Sequence, residues 1–244
     1  MESREYPAAD DRNGKPADYA NFVSWIKNLR GKLGKKGLSI TIPSSFWYLQ
    51  HFDIVSLEQY VDWFNVMLYD LHGAWDLLGK WTGPYINSHT NLTEIQDSLD
   101  LIWRNKIKPD KVTFGMAFYG RSFTLTNPLC SEPQCTFASG GNPGECSGTT
   151  GVLLNPEIQN IIKANNLTPK LYKKEAIKAI HWGNQWVSYD DQDTWKIKGD
   201  LLKSQCIKNV MVWAVSHDDL NGTYGTQLTK AMGRTGWRKD PFHK

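Results

Sequence analysis

Apolar residues along this chain keep two alternating rhythms. Over residues 16–33 Phe22, Ile26, Leu29 and Leu33 recur every three or four positions, which predicts a helix with one apolar face. Residues 38–43, Leu-Ser-Ile-Thr-Ile-Pro, then read as a short strand stopped by proline. A short helix at 57–60 precedes a strand at 63–69, and residues 92–105 return to helical spacing through Ile95, Leu99 and Ile102. A strand at 111–118, a helix at 194–205, a strand at 209–215 and a last helix at 224–232 follow. Strands separated by helices of this length predict βα units and a parallel sheet.

One stretch breaks the rhythm. From Tyr119 the chain enters a loop rich in Cys, Gly and Pro, then a helical segment at 156–165 and strand-like segments within 171–189. This predicts a small α+β insertion over 119–189, between barrel-type segments at 1–118 and 190–244.

The segment Asn65-Val66-Met67-Leu68-Tyr69-Asp70-Leu71-His72-Gly73-Ala74-Trp75 carries the candidate chemistry. A buried parallel strand reads as a near-continuous apolar run, and an α/β protein places its chemistry at the strand's carboxyl end. A tyrosine and a carboxylate emerging there, followed by a flat indole, suit a sugar-binding site.

Composition narrows the alternatives. The 28 Lys and Arg nearly balance 25 Asp and Glu, and no basic stripe argues for nucleic acid. No apolar run approaches the roughly 18 residues of a membrane span, and Met1-Glu2-Ser3-Arg4 lacks the apolar core of a secretory signal. The 11 Trp suit both core filling and carbohydrate stacking. Cys130, Cys135 and Cys146 cluster in the Gly/Pro-rich loop and predict at least one disulfide, whereas Cys206 is expected as a buried thiol at a helix end. No second Cys or His pair stands at zinc-ligand spacing. Sequons occur at Asn91, Asn166 and Asn221.

Two motifs in order carry a family resemblance. Met67-x-Tyr69-Asp70 is complete, and Glu5-Tyr6-Pro7 matches the end of a D-x-D-W-E-Y-P signature, with Ser3 where its nearest Asp belongs and Arg4 where Trp belongs. With Tyr119-Gly120-Arg121-Ser122-Phe123 and Val212-Trp213-Ala214, the chain resembles the family-18 glycoside hydrolases, the chitinases. Trp47-Tyr48-Leu49-Gln50-His51-Phe52-Asp53, the Cys-bearing insertion and Ser204-Gln205-Cys206 make it most similar to the fungal, killer-toxin-like members.

The resemblance implies an α/β fold: the C-terminal part of a (β/α)8 TIM barrel, about strands 4/5 to 8, with the α+β insertion. A barrel needs about 250 residues, so the chain is expected to be N-terminally truncated, catalytically silent alone and poorly soluble. It implies an endo-type chitinase acting on β-1,4-linked N-acetylglucosamine with retention, the substrate's own acetamido oxygen serving as nucleophile. Glu5 matches the general acid, and Tyr69 and Asp70 match the residues that position the acetamido sugar. Tyr6, Met67, Trp75, Arg121 and Trp213 match substrate-binding positions, while Trp47 and Tyr48 are further groove candidates. No metal and no cofactor is implied. The expected partners are chitin and chito-oligosaccharides, with neither nucleic acid nor membrane, in a secreted and monomeric parent protein. A lectin-like chitin binder without activity is the alternative, favoured by Ser3.

Overall fold

The computed structural model describes residues 6–234. The elements run α1 (Asp18–Leu33), β1 (Ser39–Pro43), α2 (Phe46–Leu49), α3 (Ile54–Glu58), β2 (Trp63–Met67), α4 (Leu92–Arg104), β3 (Val112–Ala117) and β4 (Tyr119–Leu125). They continue with β5 (Phe137–Gly140), β6 (Val152–Leu154), α5 (Asn155–Ala164), β7 (Lys170–Tyr172), β8 (Ile177–Trp182) and β9 (Gln185–Tyr189). Last come α6 (Gln192–Ser204), β10 (Asn209–Trp213) and α7 (Thr223–Ala231). The described residues divide into two compact units, one of residues 6–71, 93–116 and 202–211, the other of 72–92, 117–201 and 212–234.

The first unit carries the parallel sheet, in strand order β1-β2-β3-β10. β1 and β2 run parallel from Ser39 against Trp63 to Pro43 against Met67, and β2 pairs with β3 from Phe64 against Val112 to Val66 against Phe114. All six residues of β3 are buried, as a strand covered on both faces requires. β1 and β10 end the strand order, so four strands form an open sheet among the described residues. α1 buries Ile26 and stops at Gly34, whose N–H makes the last bond to the Arg30 carbonyl and whose φ of 57° turns the chain out of the helix. Asp53 starts α3 by accepting from the Ser56 N–H at 3.0 Å.

The second unit is built around an antiparallel sheet in the order β5-β4-β9-β8-β7, with β6 paired to β4. Phe123, Phe137 and Trp186 fill one face, with ring centroids 4.7 and 5.9 Å from that of Phe123. Leu153, Ile158, Ile180, Val187 and Tyr189 form a second cluster beneath α5. Glu157 on α5 accepts the Leu154 N–H through one carboxylate oxygen and the Cys146 and Ser147 N–H groups through the other. Burial pushes its carboxyl up, but these backbone donors outweigh it and hold the group below the usual range. Lys198 on α6 pairs with Asp190, both buried.

Cys130 and Cys135 are bridged, with Cα atoms 5.7 Å apart, and Cys146 is unbridged and exposed. Cys206 corrects the expectation of a buried thiol. It is exposed, because it occupies a left-handed position (φ 59°) where the chain leaves α6. Among the sequons, Asn91 is buried while Asn166 and Asn221 are exposed. No helix among the described residues is long and apolar enough to cross a membrane.

Candidate active site

In the first unit the chemistry-bearing residues leave the end of β2. The ladder with β1 ends at Met67, which is half-buried, and the Leu68 N–H turns back to the Val66 carbonyl at 2.9 Å. Tyr69 follows, 7% exposed. Its ring lies against β3 where Gly115 has no side chain: a Cβ there would sit 3.0 Å from Tyr69 Cε1 and 3.0 Å from Met211 Cε, and closer still to the Val66 carbonyl oxygen. Burial, then the charge of Asp70, pushes the Tyr69 phenol far above the ordinary tyrosine range. Tyr69 is therefore a neutral hydroxyl at any working pH, able to donate a hydrogen bond.

Asp70 is exposed and adopts φ 60°. That left-handed conformation is uncommon for a residue with a Cβ, though aspartate tolerates it better than most. It re-aims the carboxylate one residue beyond the buried phenol.

Tyr6 stacks on Tyr48 at 4.4 Å between centroids, and the Arg12 guanidinium lies over both rings at 5.3 and 5.8 Å. The Tyr48 hydroxyl donates to Asp11 at 2.7 Å, while Trp47 is exposed. Glu5, with Ser3 and Arg4, lies outside the described residues.

The second unit carries Trp75, Arg121 and Trp213. Trp75 sits in a 3-10 turn, Ala74–Leu78, and is 47% exposed. The turn is closed by the buried pair His72 Nδ1 and Asp76 Oδ2 at 2.7 Å and by the Asp76 N–H donating to the Gly73 carbonyl at 3.0 Å. The Arg121 guanidinium stands 4.7 Å from the Trp75 ring centroid and 5.6 Å from that of Tyr119, a cation–π arrangement. Tyr119 also meets His89 at 4.9 Å and, edge-on, His217 at 5.8 Å. His217 Nδ1 accepts the Ala214 N–H at 3.3 Å, and burial lowers the pKa of this ring, favouring neutral imidazole. Trp213, 56% exposed, ends β10; its carbonyl accepts the Phe118 N–H at 3.0 Å and its peptide bond to Ala214 is cis.

The structure thus gathers Met67, Tyr69 and Asp70 at one strand end, and couples Arg121 to Trp75 in the other unit. His72, Gly73, Asp76 and His217 were not singled out from the sequence. The four-residue spacing of His72 and Asp76 was the one visible signal for that pair.

Comparison with known proteins follows the same residues. The profile described as Glycosyl hydrolases family 18 matches residues 5–218. "Secreted chitinase LysM12" of Penicillium expansum is 30% identical over 89% of this chain and 16% of its own length. "Killer toxin subunits alpha/beta" of Kluyveromyces lactis is 34% identical over 87% of this chain and 19% of its own length. The chain therefore spans less than a quarter of the length of either of these two relatives. The class V chitinase from Nicotiana tobaccum, solved in complex with NAG4, superposes with a TM-score of 0.78 at 21% identity, over 89% of this chain and 65% of that one. A likeness at this level shows a shared fold. The motif at the end of β2 and a family match spanning both units have one reading: the chain belongs to family 18 of the glycosyl hydrolases.

Proposed function

We propose that this chain contributes most of a catalytic domain that hydrolyses β-1,4-linked N-acetylglucosamine in chitin and chito-oligosaccharides. The observation that carries the proposal is the end of β2, where a buried, protonated Tyr69 and an exposed Asp70 stand on consecutive residues. A phenol donor can hold the acetamido carbonyl and a carboxylate can accept the acetamido N–H, which together orient that group as an internal nucleophile. The acetamido oxygen then attacks the anomeric carbon, the leaving oxygen takes a proton from Glu5, and water opens the oxazolinium ion with retention. Trp75 and Trp213 offer half-exposed indoles for sugar stacking, each within the second unit, and Met67 and Tyr6 supply apolar and aromatic contacts in the first.

Two relatives support the setting: one is named a secreted chitinase, and the Nicotiana enzyme was solved with NAG4. We place this protein outside the cell on the same ground. A second reading, a chitin-binding lectin, is favoured by Ser3, which offers no charge to assist Glu5.

Reducing-end release from soluble chito-oligosaccharides tests the proposal. Glu5→Gln should abolish release and leave binding largely intact, since the amide keeps the size and has no proton to deliver. Binding without release in the parent protein selects the lectin. Release unchanged by Glu5→Gln, or equal release from cello-oligosaccharides, which lack the acetamido nucleophile, would refute the mechanism.

A further inference from the structure

We propose that Gly73 is a positioning residue for the Trp75 indole, and through it sets the affinity for the sugar that stacks there. The proposal rests on the functional reading above and deepens it.

Glycine is not needed at position 73 for its backbone. Its φ of −174° and ψ of −172° are fully extended, a conformation open to every residue. What it supplies is space. A Cβ on Gly73 would stand 2.7 Å from Trp75 Cε3 and closer still to Cζ3 and Cη2. The indole is folded back onto the chain two residues before it, over the one atom that any other residue would place there.

The rest of the turn is locked independently of the ring. The buried His72–Asp76 pair at 2.7 Å closes it across four residues, and the Asp76 N–H bonds to the Gly73 carbonyl. Arg121, 4.7 Å from the ring centroid, holds the indole from a different strand, β4. A methyl at position 73 therefore meets only the far end of a half-exposed side chain. The cheapest relief is for the indole to swing out, off Arg121 and into solvent, with the turn unchanged.

A displaced indole has to be immobilised again when sugar stacks on it. Ordering one side chain of this kind weakens binding roughly three- to tenfold. Because the effect passes through the indole, it must vanish when the indole is absent.

The test is a double-mutant cycle of the parent, Gly73→Ala, Trp75→Ala and the double variant, with chitotetraose affinity read by calorimetry. Gly73→Ala should bind three- to tenfold more weakly, and the double variant should bind no more weakly than Trp75→Ala. Additive losses, or unchanged affinity in Gly73→Ala, would overturn the proposal. Fluorine NMR of 5-fluorotryptophan-labelled protein decides the positioning even if no oligosaccharide binds, an outcome that would refute the functional reading alone. The Trp75 resonance, identified by its loss in Trp75→Ala, should move in Gly73→Ala while the other resonances stay; an unmoved resonance refutes positioning. Should Gly73→Ala fail to fold, Trp75→Ala in the same chain must restore folding, and failure to restore it counts against the proposal.

Discussion

Gly115→Ala puts the end of β2 to a direct test. β3 is buried along its whole length, and the added methyl would meet the Val66 carbonyl oxygen well inside van der Waals contact, with Tyr69 Cε1 and Met211 Cε each at 3.0 Å. An ordinary carbon–oxygen approach is about 3.3 Å or more, so the strands would have to part by on the order of an ångström. Phe64 to Val66 hold their register against Val112 to Phe114, which leaves no direction in which the clash can relax without stretching the ladder. Overpacking of this kind costs about 1–3 kcal/mol, a fall in Tm of roughly 2–12 °C for a chain of this size. Neither Tyr69→Phe nor Met211→Ala in the same chain should recover it, because the obstructing atom belongs to the backbone. Thermal unfolding followed by circular dichroism reads the loss, and oligosaccharide affinity should fall with it as Tyr69 is displaced. A variant melting within about 1 °C of the parent would refute the argument and mean that the sheet yields here.

Two further outcomes follow from the same geometry. Glu157→Gln replaces one acceptor oxygen by a donor that faces at least one backbone N–H, and should cost about 1.5–3 kcal/mol in urea unfolding at neutral pH. Because the folded carboxyl lies below its unfolded value near 4.3, its contribution is complete above that pH and is lost as pH falls through the folded value. Parent and variant should therefore converge in strong acid, and an equal gap at both pH values would contradict the linkage. Asp70→Gly removes the carboxylate and eases the left-handed backbone together, so stability should stay within about 1 kcal/mol while oligosaccharide binding is lost. A loss of several kcal/mol with binding retained would make Asp70 a structural residue.

Much of the α/β framework is legible in the apolar spacing. α1 was expected over 16–33 and spans Asp18–Leu33; the strand expected at 111–118 spans Val112–Ala117. The misses have physical causes. The strand expected to reach Tyr69 ends at Met67, because Leu68 and Tyr69 are apolar to fill the interior, not to extend the ladder. The short helix expected at 57–60 sits at Ile54–Glu58, since Asp53 caps it from further upstream. β4, β5 and β6 were hidden because antiparallel pairing between distant segments leaves no local signal stronger than the Gly and Pro around it. Cysteine is commonly an interior residue, and nothing in the type of Cys206 foretells a left-handed exit from a helix. In the candidate site the residue types of Tyr69, Asp70 and Trp75 were legible. The buried state of the phenol and the Arg121–Trp75 stacking were not, since both arise from packing between distant segments.

Gly73 and Gly115 show why residue type alone could not have supplied the rest. Both glycines adjoin candidate site residues, and at both an added Cβ would clash. At Gly115 the obstruction is a carbonyl of a paired strand inside a buried sheet, so the strain must pass into the fold and no side-chain deletion can relieve it. At Gly73 the obstruction is the outer edge of an exposed indole, so the strain leaves through one rotamer and reaches function without touching stability. The same substitution, glycine to alanine, should thus have two distinct outcomes: melting temperature and affinity fall together at position 115, and affinity falls at unchanged melting temperature at position 73. That separation depends on what each missing methyl would touch, which is a property of the packed chain rather than of either glycine.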